Sequence, residues 1–559
     1  MILFRLDSQR ELDPKNLSKF RAVQEADFAE LLDEVGEHIQ SKGWKTGDIA
    51  EMNINSVLNE AVDHLYKKLQ TLVATFNGDE LISALIACQE SNPREMFFRR
   101  LTIPTRLACF GHRDELVSNL SKEIPEVDAA NLICRFLIEY VAAKPPNGSR
   151  RMSLEALDGL MALGSEIVNW GTMSDFSHFG LTEVSLSVLP SGRLGFDRES
   201  FTAAQKQFMS RHFGGFISES QRSIANQFDK FDGASTGNTQ APQVVVDLDT
   251  AFEGEFGLSL TELIWLMSDI YVLGSEQEGP TKRLAANEMI KNLSKSLDWE
   301  ESKIKTGIDI LALDSRNDFL KPPGEGAEEV YPWRFNRAWS YLRRPLVRTK
   351  CEPELLILWG NRHIIQAMNY LRQLCLSGRI KTKSVELKRV TGAWREQEAR
   401  AFEQSVAAII SNLTGVQAKV RFRKLGKLKL FENGKNLGDI DVLAAVPSAR
   451  VVLVVECKDL ALARTPAEIQ NQLQGLVEGS SAKPSTVQQH SARAKWIESN
   501  LEEVLAQCFG IKKKGKWRVK PVLVSDSELY APYNSKIPFP AWSVATLQRM
   551  TVPELATKD

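Results

Sequence analysis

Apolar residues Val57, Leu58, Ala61, Val62, Leu65, Leu69, Leu72, Val73 and Phe76 recur at helical spacing, which predicts one buried face of a long amphipathic helix. Helical patterning of this kind fills most of the first 230 residues. The loop composition Lys144-Pro-Pro-Asn-Gly-Ser149 breaks it. Val184, Leu186 and Val188 alternate with polar residues before Pro190-Ser-Gly192, and Leu194 and Phe196 alternate after it, so a hairpin is expected there. Residues 232–243 (DGASTGNTQAPQ) have no apolar period and read as a linker. A second, largely helical stretch is expected from about 256 to 380, interrupted by the Lys321-Pro-Pro-Gly-Glu-Gly326 loop.

From about residue 385 the pattern changes. Ala399, Phe402, Val406, Ile409, Ile410 and Leu413 mark a helix that stops near Gly415. Strands are expected at Val420–Lys424, Leu428–Phe431, Asp439–Val446 and Val451–Lys458, with the β-branched run Val451–Val455 the strongest strand signal in the chain. Residues 488–507 read as helix and Pro521–Ser525 as a last buried strand. The domains expected are thus 1–231, mainly helical; 232–243, a linker; 244–384, helical; and 385–559, α/β.

At 559 residues the chain is too long for one hydrophobic core. Its net charge of −1 excludes a uniformly basic nucleic-acid coat, so local clusters must decide any such partner. The seven cysteines (88, 109, 134, 351, 375, 457 and 508) form no CxxC pair and no zinc-spaced cluster, which fits a reducing, cytoplasmic setting. No apolar run reaches membrane-spanning length and the first residues do not read as a signal peptide, so no membrane partner is expected. Residues 1–320 contain no Walker loop, no GxGxxG and no nucleophile elbow.

Chemistry concentrates near the end. Alternation along a strand puts Glu456 and Lys458 on one face with Cys457 opposite, and Asp439 and Asp441 on one face with Ile440 and Val442 opposite. If Pro447-Ser-Ala closes a hairpin, Asp441 lies across from Val455 or Glu456, and the two carboxylates can share one cation. Hard oxygen donors beside a lysine suit Mg²⁺, with Mn²⁺ as a substitute. The ion would polarise a phosphate and lower the pKa of an attacking water, while Lys458 steadies the developing charge.

Glu403 on the helix, Asp441 in Gly438-Asp-Ile-Asp-Val442, and Glu456-Cys-Lys458 together resemble the PD-(D/E)XK nuclease superfamily, which includes restriction endonucleases and Holliday-junction resolvases. The resemblance covers roughly residues 390–550. It implies a restriction-endonuclease-like αβββαβ core with Mg²⁺-dependent phosphodiester hydrolysis, the activity of a metal-dependent endodeoxyribonuclease. Two features depart from the family pattern: no proline precedes Asp441, and the doubled acid leaves Asp439 or Asp441 as the metal ligand, with Asp441 favoured because Val442 follows it. A long additional region joined to such a nuclease is similar to prokaryotic restriction and antiviral-defence proteins. A repair or recombination nuclease acting on branched or single-stranded DNA is one alternative. A silent nuclease fold used for nucleic-acid binding or assembly is another.

The expected partner is DNA, with RNA left open, and the helical region is available for protein partners or self-association. Arg421, Arg423, Lys424, Lys427, Lys429 and Lys435 precede the acidic strand, and Lys512–Lys520 form a second basic run; either can follow a phosphate backbone or solubilise a surface loop. His490 and Arg493 share a helix face and can touch a phosphate or simply pack. Residues 331–350 (YPWRFNRAWSYLRRPLVRTK) interleave aromatics with Arg334, Arg337, Arg343 and Arg344. That pattern fits either single-strand contact or an aromatic core with arginines reaching to solvent.

Overall fold

The computed structural model describes residues 19–24, 28–109, 113–181, 185–197, 243–334, 336–351, 354–432, 434–460, 463, 465–480, 484–512, 514–534 and 537–557. These fall into two compact units, residues up to 197 with 243–394, and residues from Arg395 onward. The expected linker, save Gln243, lies outside the described residues, and the segments on either side of it belong to the same unit.

The first unit opens with helices α1 (Phe28–Ser41), α2 (Glu51–Ala74), α3 (Gly78–Cys109), α4 (Arg113–Ala143) and α5 (Leu154–His178). The face read from the sequence is buried: Val57, Leu58, Ala61, Leu65, Leu69 and Val73 of α2 join one core with α3, α4 and α5. The expected hairpin is present as β2 (Ser185–Val188) and β3 (Leu194–Asp197), to which β1 (Gly47–Ile49) adds a third antiparallel strand.

The stretch from 256 to 380 is not simply helical. Helices α6 (Gln243–Phe256), α7 (Leu260–Ser275), α8 (Ala286–Leu297), α9 (Glu301–Leu311) and α10 (Asn361–Leu376) accompany a four-stranded sheet. Its strands β4 (Thr281–Ala285), β5 (Ala312–Leu313), β6 (Leu346–Cys351) and β7 (Glu354–Gly360) stand in the order β4-β7-β6-β5. The apolar run Leu355–Trp359 pairs on both edges, which a run of that length between turns permits as well as a helix does. Capping follows local chemistry: Ser259 accepts from the Glu262 backbone N–H while the Glu262 carboxylate accepts from that of Ser259.

Helix α11 (Val385–Ser411) begins in the first unit and ends in the second. After it come β8 (Gln417–Phe422), two small hairpins β9 (Lys424–Leu425)/β10 (Leu428–Lys429) and β11 (Phe431–Glu432)/β12 (Lys435–Asn436), then β13 (Ile440–Val446) and β14 (Val451–Lys458). The expected 488–507 helix is two, α13 (Thr486–Ser499) and α14 (Leu501–Phe509), preceded by α12 (Pro466–Leu473). Strands β15 (Arg518–Ser525) and β16 (Ala541–Ser543) complete a five-stranded sheet in the order β16-β15-β14-β13-β8. Strands β8, β13 and β14 run antiparallel, whereas β15 is parallel to β14. One face packs Val442, Ala444, Leu453 and Val455 against Val406 and Ile410 of α11; the other packs Leu443, Val452 and Val454 against Ile497 and Val504. The second unit is therefore an α/β sandwich in which a mixed sheet is covered on both faces.

Candidate functional site

Strands β13 and β14 pair with Val442 opposite Val455, a register that sets Asp441 across from Glu456. This is one of the two registers anticipated from the sequence. Alternation then places Glu456 and Lys458 with Val452 and Val454, on the face covered by α13.

The Asp441 carboxylate accepts a hydrogen bond from the Cys457 backbone N–H at 2.7 Å. Burial, and then the negative charge of Glu456, push its pKa up to about 7. Glu456 is 5% exposed. Burial also works against its charge, but Lys458, Arg493 and His490 outweigh it and hold the carboxyl below the ordinary glutamate range. Lys458 Nζ lies 2.8 Å from Glu456 Oε1, and Arg493 donates Nη1–H to Glu456 and Nε–H to the Leu437 carbonyl at 2.7 Å. For Lys458, burial disfavours the ammonium, yet Glu456 wins and raises its pKa.

Gly438 is shaped by this cluster. Its φ of +77° is a left-handed conformation, and a Cβ there would sit 3.1 Å from Arg493 Nη2. His490 is fully buried with Nδ1 3.8 Å from Glu456, and its pKa is pushed down to about 4 chiefly by burial. His490 and Arg493 thus face inward, and Arg493 braces Glu456.

Glu403 is buried on α11 and receives two hydrogen bonds from Arg421, 2.6 Å from Nε and 3.0 Å from Nη2. Its charge still reaches Asp441, adding to the upward push on that carboxyl. Asp439 precedes β13, so the alternation read from the sequence stops short of it; it is 3.5 Å from Arg423 Nε. Arg423, Lys424, Lys427, Lys429 and Lys435 are exposed, and a cleft of about 550 Å³ lined by Arg400, Glu403, Gln404, Val420, Arg421 and Arg423 opens beside them. In the second basic run Lys512, Lys514 and Lys516 are exposed, but Lys520 is buried over the Trp542 ring.

The segment 331–350 lies in the first unit as turns and most of β6. Its guanidinium groups are turned into the protein, with Arg343 Nη1 buried and making no hydrogen bond there. Arg337 is buried and pairs with both carboxylate oxygens of Glu139. Arg334 pairs with Asp175 at 2.8 Å, Arg344 donates to the Ala312 carbonyl and lies over Trp339, and Arg343 is buried deeply enough to lower its pKa. The aromatic residues pack inward as the core reading has it, but the arginines do not reach to solvent as that reading expects, and no phosphate-binding role for these four residues is carried forward. Nothing in the sequence around residue 337 indicates its partner, which lies 198 positions away.

A family model for Upx-like anti-phage proteins matches residues 25–518. The chain belongs to that family. Its role accordingly lies in antiviral defence, and the match takes in both units, including Asp441, Glu456, Lys458 and Arg493. Neither the curated proteins nor the solved structures yield a match. Among the described residues no single helix is long and apolar enough to cross a membrane.

Proposed function

We propose that this anti-phage protein is a metal-dependent nuclease, with DNA as its substrate and Asp441, Glu456 and Lys458 as its catalytic residues in a PD-(D/E)XK-type domain. The observation that carries the reading is the pairing of β13 with β14, which sets the half-buried Asp441 carboxylate opposite the buried Glu456 carboxylate, with a lysine two residues on. The order helix, three antiparallel strands, helix, parallel strand supports the same assignment.

The donors suit a hard divalent cation. Asp441 carries a carboxyl whose ionisation is opposed by burial and by Glu456, and a cation such as Mg²⁺ or Mn²⁺ relieves that opposition. Against this, Glu456 already holds two cationic side chains, and no cluster of three or more His, Cys, Asp or Glu side chains in ligand-like array occurs among the described residues. Asp441 and Glu456 would hold the ion, with Asp439 nearer the solvent. A bound Mg²⁺ supplies Lewis-acid polarisation of a phosphate and a more acidic water. Arg493 fixes the Glu456 carboxylate in place, Lys458 presents an ammonium to developing negative charge, and the exposed Arg423, Lys424 and Lys427 are placed to follow a phosphate backbone.

The test is cleavage of plasmid, linear, single-stranded and RNA substrates by the pure protein with and without Mg²⁺. Asp441→Asn and Glu456→Gln should abolish cutting and weaken metal binding; Lys458→Ala should abolish most cutting with metal binding retained, and pairs of changes should cost little beyond one. Mg²⁺-dependent cutting that survives both Asp441→Asn and Glu456→Gln sinks the proposal. A second reading, a silent site used for binding, is favoured by the ion pairs already closed on Glu456; it requires no Mg²⁺ uptake by calorimetry and phage protection intact in Glu456→Gln.

A further inference from the structure

The cleft beside the candidate site is lined by three arginines, Arg400, Arg421 and Arg423, against one acid, Glu403, with Gln404 and Val420 completing its wall. An excess of guanidinium groups in a concave site calls for an anion. The sheet register says which part of the site the cleft adjoins. Phe422 pairs with Ile440 and Val420 with Val442, so Arg421 stands across from Asp441, which in turn stands across from Glu456. Arg421, Asp441 and Glu456 thus form one row over three neighbouring strands, about 5 Å apart.

Arg421 is the residue at which the strand changes face. Val442 packs on the side of α11, whereas Phe422 and Ile440 pack on the other side, and Arg421 makes the step with a left-handed φ of +52°. Its side chain reaches α11, where Nε and Nη2 donate to the two Glu403 oxygens at 2.6 and 3.0 Å. Glu403 is 7% exposed, and two parallel bonds from a buried carboxylate fix the guanidinium plane. Nη1 takes no part in that pair and makes no hydrogen bond within the described protein, while the side chain stays 26% exposed on the cleft wall. Arg400 and Arg423 are paired only in solvent, with Glu396 and, at 3.5 Å, with Asp439. Exposed pairs of this kind hold weakly and yield to an acceptor with several oxygens, which a phosphate is.

We propose that Glu403 is a positioning residue for nucleic acid and not a donor to the metal: it orients Arg421 so that Nη1, together with Arg400 and Arg423, holds a strand phosphate beside Asp441. The inference rests on the nuclease reading for the path of the strand, but its test needs no cutting. A free phosphate ion presents the same chemistry to these arginines.

Full-length protein titrated into a labelled DNA duplex in EDTA, followed by anisotropy, tests it. On charge alone, Glu403→Gln removes a negative charge from a cationic cleft and should tighten binding. If Glu403 orients Arg421, the same change weakens binding by about 5-fold and lowers the salt slope by about one. Arg421→Gly, which suits the left-handed backbone, should weaken binding by about 10-fold, and adding Glu403→Gln to it should weaken binding no further. If Glu403→Gln does not fold, Arg421→Lys carries the comparison: it keeps the charge without the fork and should bind closer to Arg421→Gly than to wild type. In calorimetry Glu403→Gln should leave Mg²⁺ affinity unchanged, whereas Asp441→Asn should lose it. Failure of the metal reading shows instead as no Mg²⁺ uptake by the wild type, and it leaves the duplex comparison intact. Inorganic phosphate should displace the duplex only at far higher concentration. Tighter duplex binding or lost Mg²⁺ affinity in Glu403→Gln overturns the proposal, and displacement by phosphate at equal concentration overturns the strand as occupant.

Discussion

Replacing Arg337 by Met separates two roles for the basic-aromatic segment. Arg337 and Glu139 are 5% and 1% exposed at their side chains, and the guanidinium also donates to the Arg334 and Val330 carbonyls at 3.1 and 3.2 Å. Met keeps much of the volume but removes the charge and every donor. Two unit charges ~4 Å apart at an effective dielectric of ~20 attract by ~4 kcal/mol, and breaking a buried pair by deleting one partner typically costs ~3–5 kcal/mol. Glu139 would keep a hydrogen bond from the Tyr341 backbone N–H at 2.7 Å and the less direct attraction of Arg135 and Arg316. The expected loss is therefore ~3–5 kcal/mol in the urea-induced unfolding of the first unit. Glu139→Gln combined with Arg337→Met removes the orphaned charge and should recover more than half of it. DNA affinity and its salt slope, measured on the folded variant, should not change. A loss below ~1 kcal/mol, together with a salt slope reduced by about one, would refute the reasoning and return Arg337 to the phosphate-binding role.

Two further expectations concern a buried acid and a strained arginine. Glu90, buried where the Arg362 and His363 N–H groups donate to it at 2.8 Å, has its pKa raised to about 7 from 4.5, because burial outweighs those hydrogen bonds and the nearby Arg362 and Lys282. The folded state thus binds this proton more tightly than the unfolded chain. The group's contribution is fully favourable below about pH 4.5 and is lost as pH rises to about 7, a swing of about 3 kcal/mol. Glu90→Gln should flatten that slope in urea unfolding between pH 5 and 8, and a variant curve parallel to wild type would contradict it. Arg421 has φ of +52°, so Arg421→Ala and Arg421→Gly both lose the Glu403 pair but only Gly relaxes the backbone. The Gly variant should be more stable by ~0.5–1 kcal/mol in thermal unfolding, and an Ala variant as stable or more so would be inconsistent with strain there.

The strands that carry the candidate site were legible because each is a short run with its own boundary marks. Val451–Val455 is apolar on both sides, and Pro447-Ser-Ala supplies the turn, so the hairpin and its register followed within a residue. The four-stranded sheet in the first unit was not legible. Leu346–Cys351 does alternate, with Arg348 and Lys350 between Val347, Thr349 and Cys351, but it is short and its bases were counted into the basic-aromatic segment; Leu355–Trp359 is apolar throughout and runs directly into α10, so it shows no period of two. Asp439 was grouped with Asp441 because alternation was extended past Ile440, where the strand begins.

Charged side chains were misplaced for a different reason. Counting bases in a window treats each as free, whereas a fold can neutralise it with an acid far along the chain: Arg337 with Glu139, Arg334 with Asp175, Arg493 with Glu456. A signal for this does exist in the sequence, on the acids. Glu139 stands in Leu132-Ile-Cys-Arg-Phe-Leu-Ile-Glu-Tyr-Val-Ala-Ala143 and Glu456 ends Val451-Val-Leu-Val-Val-Glu456. An acid embedded in an apolar run is carried into the interior by its neighbours and cannot stay ionised there without a cation or several donors. Each such acid commits a base elsewhere, and the buried Glu329 and Glu403 follow the same rule with Lys381 and Arg421. Subtracting those commitments removes Arg334, Arg337 and Arg493 from the pool available to nucleic acid. What remains exposed and close to the acidic hairpin is Arg423, Lys424, Lys427, Lys429 and Lys435, so a phosphate-binding surface on this protein is to be sought beside β13, not in the aromatic segment.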